Sequence, residues 1–253
     1  MIYNYPQYCE ILFDTRDIPS ETAFLRECID RYSNIPVRRV LEVCCGNAPH
    51  AGELAGAGLA YVGLDHNRKM LQYCRDRWSL LDPKAEFVEG DMLDFGLEQP
   101  ADFVFVMIGS LYFSSIEDVT RHFDSVSRSL EPGGLYFLDS CVQFNNPLEA
   151  CTGSTVRKER DGISVRSSFE MKLLDSARQY YEEQWTINVN DHGSNRLFTT
   201  IECNKAIYPQ EFLLFIKARP DFEFVGWWRD WDLTKPIDRT ISVPRPIAIV
   251  RRT

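Results

Sequence analysis

Apolar positions in this chain follow two rhythms. From Ser20 to Asp139, short unbroken apolar runs alternate with stretches of helical spacing. The runs at Val40–Val43, Tyr61–Asp65, Phe87–Asp91, Ala101–Met107 and Leu135–Asp139 read as strands buried on both faces, the pattern of a parallel sheet. Between them, Phe24, Leu25, Cys28, Ile29 and Tyr32 recur at helical spacing, with Ser20 as the expected N-cap and Glu21 in the first turn. A second helix is predicted from about His50 to Ala57, where Pro49 suits the first turn and Leu54 and Ala55 face inward. A third runs from an Asn67 cap to about Trp78, with Met70, Leu71, Cys74 and Trp78 inward. A fourth spans Ser115 to Leu130, with Ile116, Val119, Phe123 and Val126 inward, and Glu131-Pro-Gly-Gly134 ends it. Residues 1–18 are aromatic and polar without a clean period.

The second rhythm has period two. Ile163, Val165, Phe169, Met171 and Leu173 alternate with polar residues. Tyr181, Trp185, Ile187 and Val189 do the same, then Leu197, Thr199, Ile201, Cys203 and Ile207. Turn residues separate them at Asp175-Ser176 and Asp191–Ser194. Three such stretches predict an antiparallel sheet wet on one face. The first rhythm then returns, with a helix at 209–217 and strands at 222–228 and 246–250 joined by a short loop-back. The expected fold is α/β: a doubly wound, mostly parallel seven-stranded sheet built from residues 1–150 and 208–253, interrupted by an antiparallel β-sheet lid at 151–207.

Chemistry concentrates at the carboxyl ends of the predicted strands. Glu42-Val-Cys-Cys-Gly-Asn-Ala48 joins the first strand to a helix through small residues, so backbone N–H groups can approach a ligand. Asp65 ends the next strand roughly 20 residues later, the spacing at which a carboxylate grips ribose hydroxyls. Asp91 follows a third strand. The segment from Glu42 to Ala48 resembles the cofactor loop of class I S-adenosylmethionine methyltransferases, whose pattern is acidic-x-Gly-x-Gly-x-Gly. Cys44 and Ala48 stand at its first and third glycines. Neither tolerates positive φ as glycine does, so the methionine end of the cofactor is expected to sit slightly differently.

The resemblance implies S-adenosylmethionine as methyl donor, S-adenosylhomocysteine as product and no metal. It implies a cofactor site made of Glu42, Cys44, Gly46, Ala48, Asp65, His66, Met70, Asp91, Met92 and Ile108. Asp65 takes the ribose role and Asp91-Met92 the adenine role. Tyr8-Cys-Glu-Ile-Leu-Phe-Asp14 resembles a Tyr-Tyr-Asp segment that folds over the cofactor, which adds Tyr8. Residues after the fourth and fifth strands lie at the same end, so Ser110, Tyr112, Ser140 and Gln143 are acceptor candidates. Tyr112 is the candidate for orienting the acceptor or moving a proton. Tyr181 and Trp185 are expected to contact the acceptor from the lid. His122 reads as structural, His192 as solvated, and His50 as a helix-position residue.

The chain has 253 residues, 44% of them hydrophobic, enough for one large core. A net charge of −9 argues against binding a nucleic-acid backbone. Eight cysteines, including Cys151, form no Cys-x-x-Cys and have no histidine at zinc-like spacing. With no recognisable signal peptide or membrane span, the expectation is a cytoplasmic protein acting on a small molecule. Oligomeric state is not legible. Two alternatives stay open: a non-catalytic S-adenosylmethionine-binding module and a nicotinamide-dependent reductase, which prefers Gly-x-Gly-x-x-Gly.

Overall fold

The computed structural model describes residues 1–82, 84–150, 154–238, 243 and 245–253. Cys151 and the start of the predicted insertion lie outside them. The chain begins with α1 (Pro6–Leu12) and α2 (Ile18–Tyr32), then β1 (Arg39–Val43), α3 (Ala51–Gly56), β2 (Ala60–Asp65), α4 (Arg68–Arg77) and β3 (Glu86–Glu89). Next come β4 (Ala101–Val106), α5 (Ile116–Ser129), β5 (Leu130–Asp139) and α6 (Pro147–Ala150). Four long strands follow: β6 (Ser154–Arg160), β7 (Ile163–Asp175), β8 (Tyr180–Asp191) and β9 (Ser194–Lys205). The chain closes with α7 (Pro209–Ala218), β10 (Phe222–Arg229) and β11 (Pro246–Arg252).

The expected architecture is present. Seven strands form one sheet in the order β10-β11-β5-β4-β1-β2-β3, with β11 antiparallel to both neighbours and β1 to β5 parallel. The strand order reverses between β4 and β1, the point at which open α/β sheets bind ligands. Val43 sits beside Leu64 and Val106, and Val106 beside Leu138, so the carboxyl ends of β2, β1, β4 and β5 are level. The second sheet is antiparallel, in the order β6-β7-β8-β9.

Both faces of the large sheet are covered. Leu41, Val43, Val104 and Val106 pack with Val119, Phe123 and Val126 of α5 and Phe212 and Ile216 of α7. On the other face, Val40, Phe103 and Phe105 pack with Phe24, Leu25 and Cys28 of α2, Leu54 of α3 and Leu71 and Cys74 of α4. Each such side chain contributes about 1.5–3 kcal/mol by leaving water. A third cluster joins Tyr8, Cys9, Ile11 and Leu12 of α1 to Met70 of α4 and Val165, Ile187 and Val189 of the second sheet.

That third cluster explains the largest departure from the sequence reading, a helix in residues 1–18. Pro6 occupies the first helical position, and α1 is short enough that tertiary packing, not its own period, selects it. Other departures are local. α2 starts a turn early because Asp17, not Ser20, is the N-cap, its carboxylate accepting the Ser20 N–H at 3.1 Å. Ile116 is exposed at the start of α5. Leu130 already pairs with Ala101, so β5 absorbs Glu131–Gly134 as a register shift. The inserted sheet has a fourth strand, β6, whose Arg-Lys-Glu composition hides its alternation. The β10–β11 connection is long, spanning 230–245. The described cysteines are all free.

Candidate active site

The turn after β1 is wound left-handed at three residues, with φ of 56° at Cys44, 53° at Gly46 and 49° at Ala48. Cys44 and Ala48 thus adopt the glycine-like backbone despite their side chains, against the sequence expectation. A Cβ in that region costs about 1–2 kcal/mol. Three hydrogen bonds impose it: Cys45 N–H to Leu64 O at 3.0 Å, Ala48 N–H to Cys45 O at 2.8 Å, and Gly46 N–H to Asp65 Oδ2 at 2.9 Å. Ile108 after β4 and Ser140 after β5 are also left-handed, at φ of 51° and 59°. Non-glycine strain therefore gathers along the carboxyl ends of β1, β4 and β5, as at ligand sites generally.

Asp65 ends β2 half-buried, its other oxygen accepting the Asn67 N–H at 2.8 Å. A side chain at Gly46 would meet no atom within 4 Å, so the space beside the turn is open. A nucleoside fits this arrangement: a bare glycine for close approach, a carboxylate for ribose hydroxyls and an open flank. Cys44 Sγ lies 3.9 Å from Met92 Sδ, which joins the β1 turn to the loop after β3. His122, fully buried, donates from Nδ1 to Met92 O at 2.7 Å and accepts the Tyr136 hydroxyl at Nε2, also 2.7 Å. Burial pushes its pKa down to about 4, so it is a neutral strut holding that loop. Asp91 is exposed, with Oδ1 accepting the Leu93 N–H at 2.9 Å, and His66 is exposed.

Beneath the turn runs a charged network that the sequence reading missed. Glu42 is 2% exposed and accepts the Tyr61 hydroxyl at 2.6 Å and His50 Nδ1 at 3.0 Å. His50 Nε2 donates to Glu21 Oε2 at 3.0 Å. Glu21 also takes Arg16 at 2.5 Å and Arg245 at 3.1 Å, and Arg245 reaches Asp139 at 2.7 Å. Asp139 in turn accepts the Ile108 N–H at 2.8 Å. A carboxylate faces each ring nitrogen of His50; burial lowers its pKa, and Glu42 and Glu21, against the opposing charge of Arg16, raise it above 6.5. Burial would raise Glu21, yet hydrogen bonds from His50 and Arg16 and the nearby arginines hold it down to about 2. Glu42, Glu21 and Asp139 face His50, Arg16 and Arg245, and the network clamps the ends of β1, β4 and β5 to α2.

A cleft of about 450 Å³, part of it open to solvent, separates these strand ends from the second sheet. Gly109, Ser140, Cys141 and Gln143 line one side, and Met171, Tyr181 and Glu183 the other. Cys141 and Cys44 pack on the same core cluster. Tyr112 donates its hydroxyl to Glu183 Oε2 at 3.1 Å, and Asn204 Nδ2 reaches Glu183 Oε1 at 3.4 Å. Glu183 is 9% exposed; burial raises its pKa, the Tyr112 and Asn204 hydrogen bonds lower it, and Glu202 raises it again. Glu183 was not found from sequence. The signal was its phase, since it falls between Tyr181 and Trp185 on the inward face of β8.

The structure thus gathers Cys44, Gly46, Asp65 and Met92 on one side, with Ala48 buried beneath them, and Ser140, Gln143, Tyr181 and Tyr112 on the other. Tyr8 is buried in the third cluster, its hydroxyl donated to Asp191 at 2.7 Å, and Met70 packs there too. Trp185 packs against Phe169 with ring centres 4.8 Å apart and the rings tilted by 57°. Ser110 returns its hydroxyl to Met107 O at 2.7 Å, and Ile108 is 41% exposed.

Residues 40–134 match the model of a methyltransferase domain. An uncharacterized methyltransferase of Synechocystis is 29% identical over 140 residues, 54% of this chain and 63% of its own length. The chain spans about three fifths of the length of the curated relatives it matches. Among solved structures, an S-adenosylmethionine-dependent methyltransferase from Clostridium acetobutylicum superposes with a TM-score of 0.78 at 15% identity, over 96% of this chain and 95% of that one. The sugar N-methyltransferase KedS8 from Streptoalloteichus gives 0.68 at 17% identity, over 94% and 88%. At such identities the likeness to solved structures is one of fold. The chain is thus similar to a methyltransferase domain over residues 40–134 and has the fold of the class I S-adenosylmethionine-dependent methyltransferases.

Proposed function

We propose that the protein is an S-adenosylmethionine-dependent methyltransferase that methylates an N or O atom of a small molecule held in the cleft between the strand ends and the inserted sheet. The observation that carries this reading is the open space beside Gly46, with the Asp65 carboxylate of the neighbouring strand end held against the same turn. S-adenosylmethionine supplies a methyl group already activated by its sulfonium charge. Asp65 and the Cys44–Ala48 turn hold the nucleoside, with Met92 at the base end. The residues of the acceptor side orient the substrate, and such alignment is worth up to about 7–11 kcal/mol of barrier. The sugar N-methyltransferase fold likeness favours nitrogen. Among the described residues no helix is long and apolar enough to cross a membrane.

The decisive experiment is calorimetric titration. S-adenosylmethionine and S-adenosylhomocysteine are expected to bind and NADH is not. Binding of NADH with no heat from either adenosyl ligand would return the site to a nicotinamide reading. Adenosyl binding without turnover on any acceptor would leave a non-catalytic module.

A lid function for the inserted sheet separates two effects. Tyr181 lines the cleft and shares a 2.9 Å hydrogen bond with Tyr208, whereas Trp185 supports the face beside it. Tyr181→Ala and Trp185→Ala are expected to lower turnover or change the accepted substrates, with S-adenosylmethionine affinity unchanged. Steady-state kinetics with circular dichroism as a folding control tests this, and normal selectivity in both folded variants removes the lid role.

A further inference from the structure

We infer that the acceptor enters as an ammonium cation and that Glu183 is the residue that selects it and takes its proton. The inference rests on the methyltransferase reading and names the substrate class of that site. The cleft is small, so a molecule filling it touches both Ser140 on the strand side and Glu183 on the lid side. Its charge is one-sided. Glu183 is the carboxylate lining it, and Glu202 sits directly opposite Glu183 across the β8–β9 pairing. Like charges in that position destabilise a sheet. The lining cation, Lys205, is already committed to Glu211 at 2.9 Å and Gln179 at 2.8 Å, so it does not neutralise them.

Glu183 is built to meet a donor. Tyr112 and Asn204 each approach one of its oxygens, fixing the carboxyl plane. A carboxylate oxygen accepts more than one hydrogen bond, so capacity remains toward the cleft. A neutral hydroxyl gains little from this field, and a carboxylate is too weak a base to ionise it. An ammonium gains the full charge-assisted bond. Its proton then moves to Glu183: an N–H bond breaks, an O–H bond forms at the carboxylate, and the nitrogen keeps the electron pair that makes it a nucleophile. Tyr112 is a positioning residue, acting through Glu183.

The test uses benzylamine, a cation near neutral pH, against benzyl alcohol, its neutral counterpart. Both are titrated calorimetrically into the full chain loaded with S-adenosylhomocysteine. The amine is expected to bind about ten- to a hundredfold more tightly than the alcohol. Glu183→Gln, of the same shape, is expected to bring the two to the same affinity, and Tyr112→Phe to narrow the gap without closing it. S-adenosylhomocysteine affinity is expected to be the same in all three proteins. Equal binding of amine and alcohol by the parent chain, no saturable amine binding at millimolar concentration, or an undiminished preference in Glu183→Gln overturns the inference. Failure to bind S-adenosylhomocysteine instead overturns the methyltransferase reading.

Discussion

Replacing His50 with alanine is expected to cost about 3–5 kcal/mol of folding stability, read as a lower midpoint in urea denaturation. The imidazole ring lies fully buried between Glu42 and Glu21, and its removal leaves two carboxylates facing a void. The same network sets the pH dependence of the parent chain. His50 has its pKa raised above 6.5, so its contribution is complete below about that pH and is lost as pH rises through the folded-state value. Glu21 is depressed from 4.5 to about 2, so its contribution is present above 4.5 and is lost as pH falls toward 2. Stability is therefore expected to fall on both sides of mildly acidic pH, and His50→Ala to lose the alkaline limb. An unchanged alkaline limb in the variant would show that another group titrates there.

Asp65→Ala is expected to have the largest effect on ligand binding. Each ribose hydroxyl left without its acceptor costs about 1–3 kcal/mol. The loss is expected as a weaker S-adenosylmethionine dissociation constant by calorimetry. Stability should also fall, because the carboxylate holds the Gly46 and Asn67 N–H groups in the absence of any ligand. Asp65 is thus a turn clasp as well as the proposed ligand group. A folded variant with parent-like affinity would remove Asp65 from the site.

The parallel half of the fold was legible because its strands are buried on both faces and carry unbroken apolar runs that helical spacing cannot mimic. Asn67 was readable as a cap because a short polar side chain before an apolar-periodic stretch has few other uses, and it caps as expected. What was not legible depends on partners distant in sequence. α1 exists because the second sheet covers it. β6 has one apolar residue, Val156, among charges, and only the Asp161-Gly162 turn, with φ of 50° and 78°, marks it as half of a hairpin. The left-handed Cys44 and Ala48 could not be inferred from residue type, which argues the other way. His50 gained its second carboxylate only when Glu21, 29 positions away, was folded against it.

The inserted sheet leaves and rejoins the main body at one point: Gln143 N–H bonds Ile207 O at 2.8 Å. Because that clasp fixes the separation of the two crossings, the length of the excursion between them has little influence on the parallel strands, and lengthening it adds only a slowly growing loop entropy. The excursion is in this sense a cassette. Exchanging residues 144–206 for the corresponding piece of a related fold would test the proposed acceptor role of the insertion, provided the new piece also covers α1 and Met70, and it would give diversification a seam along which to cut.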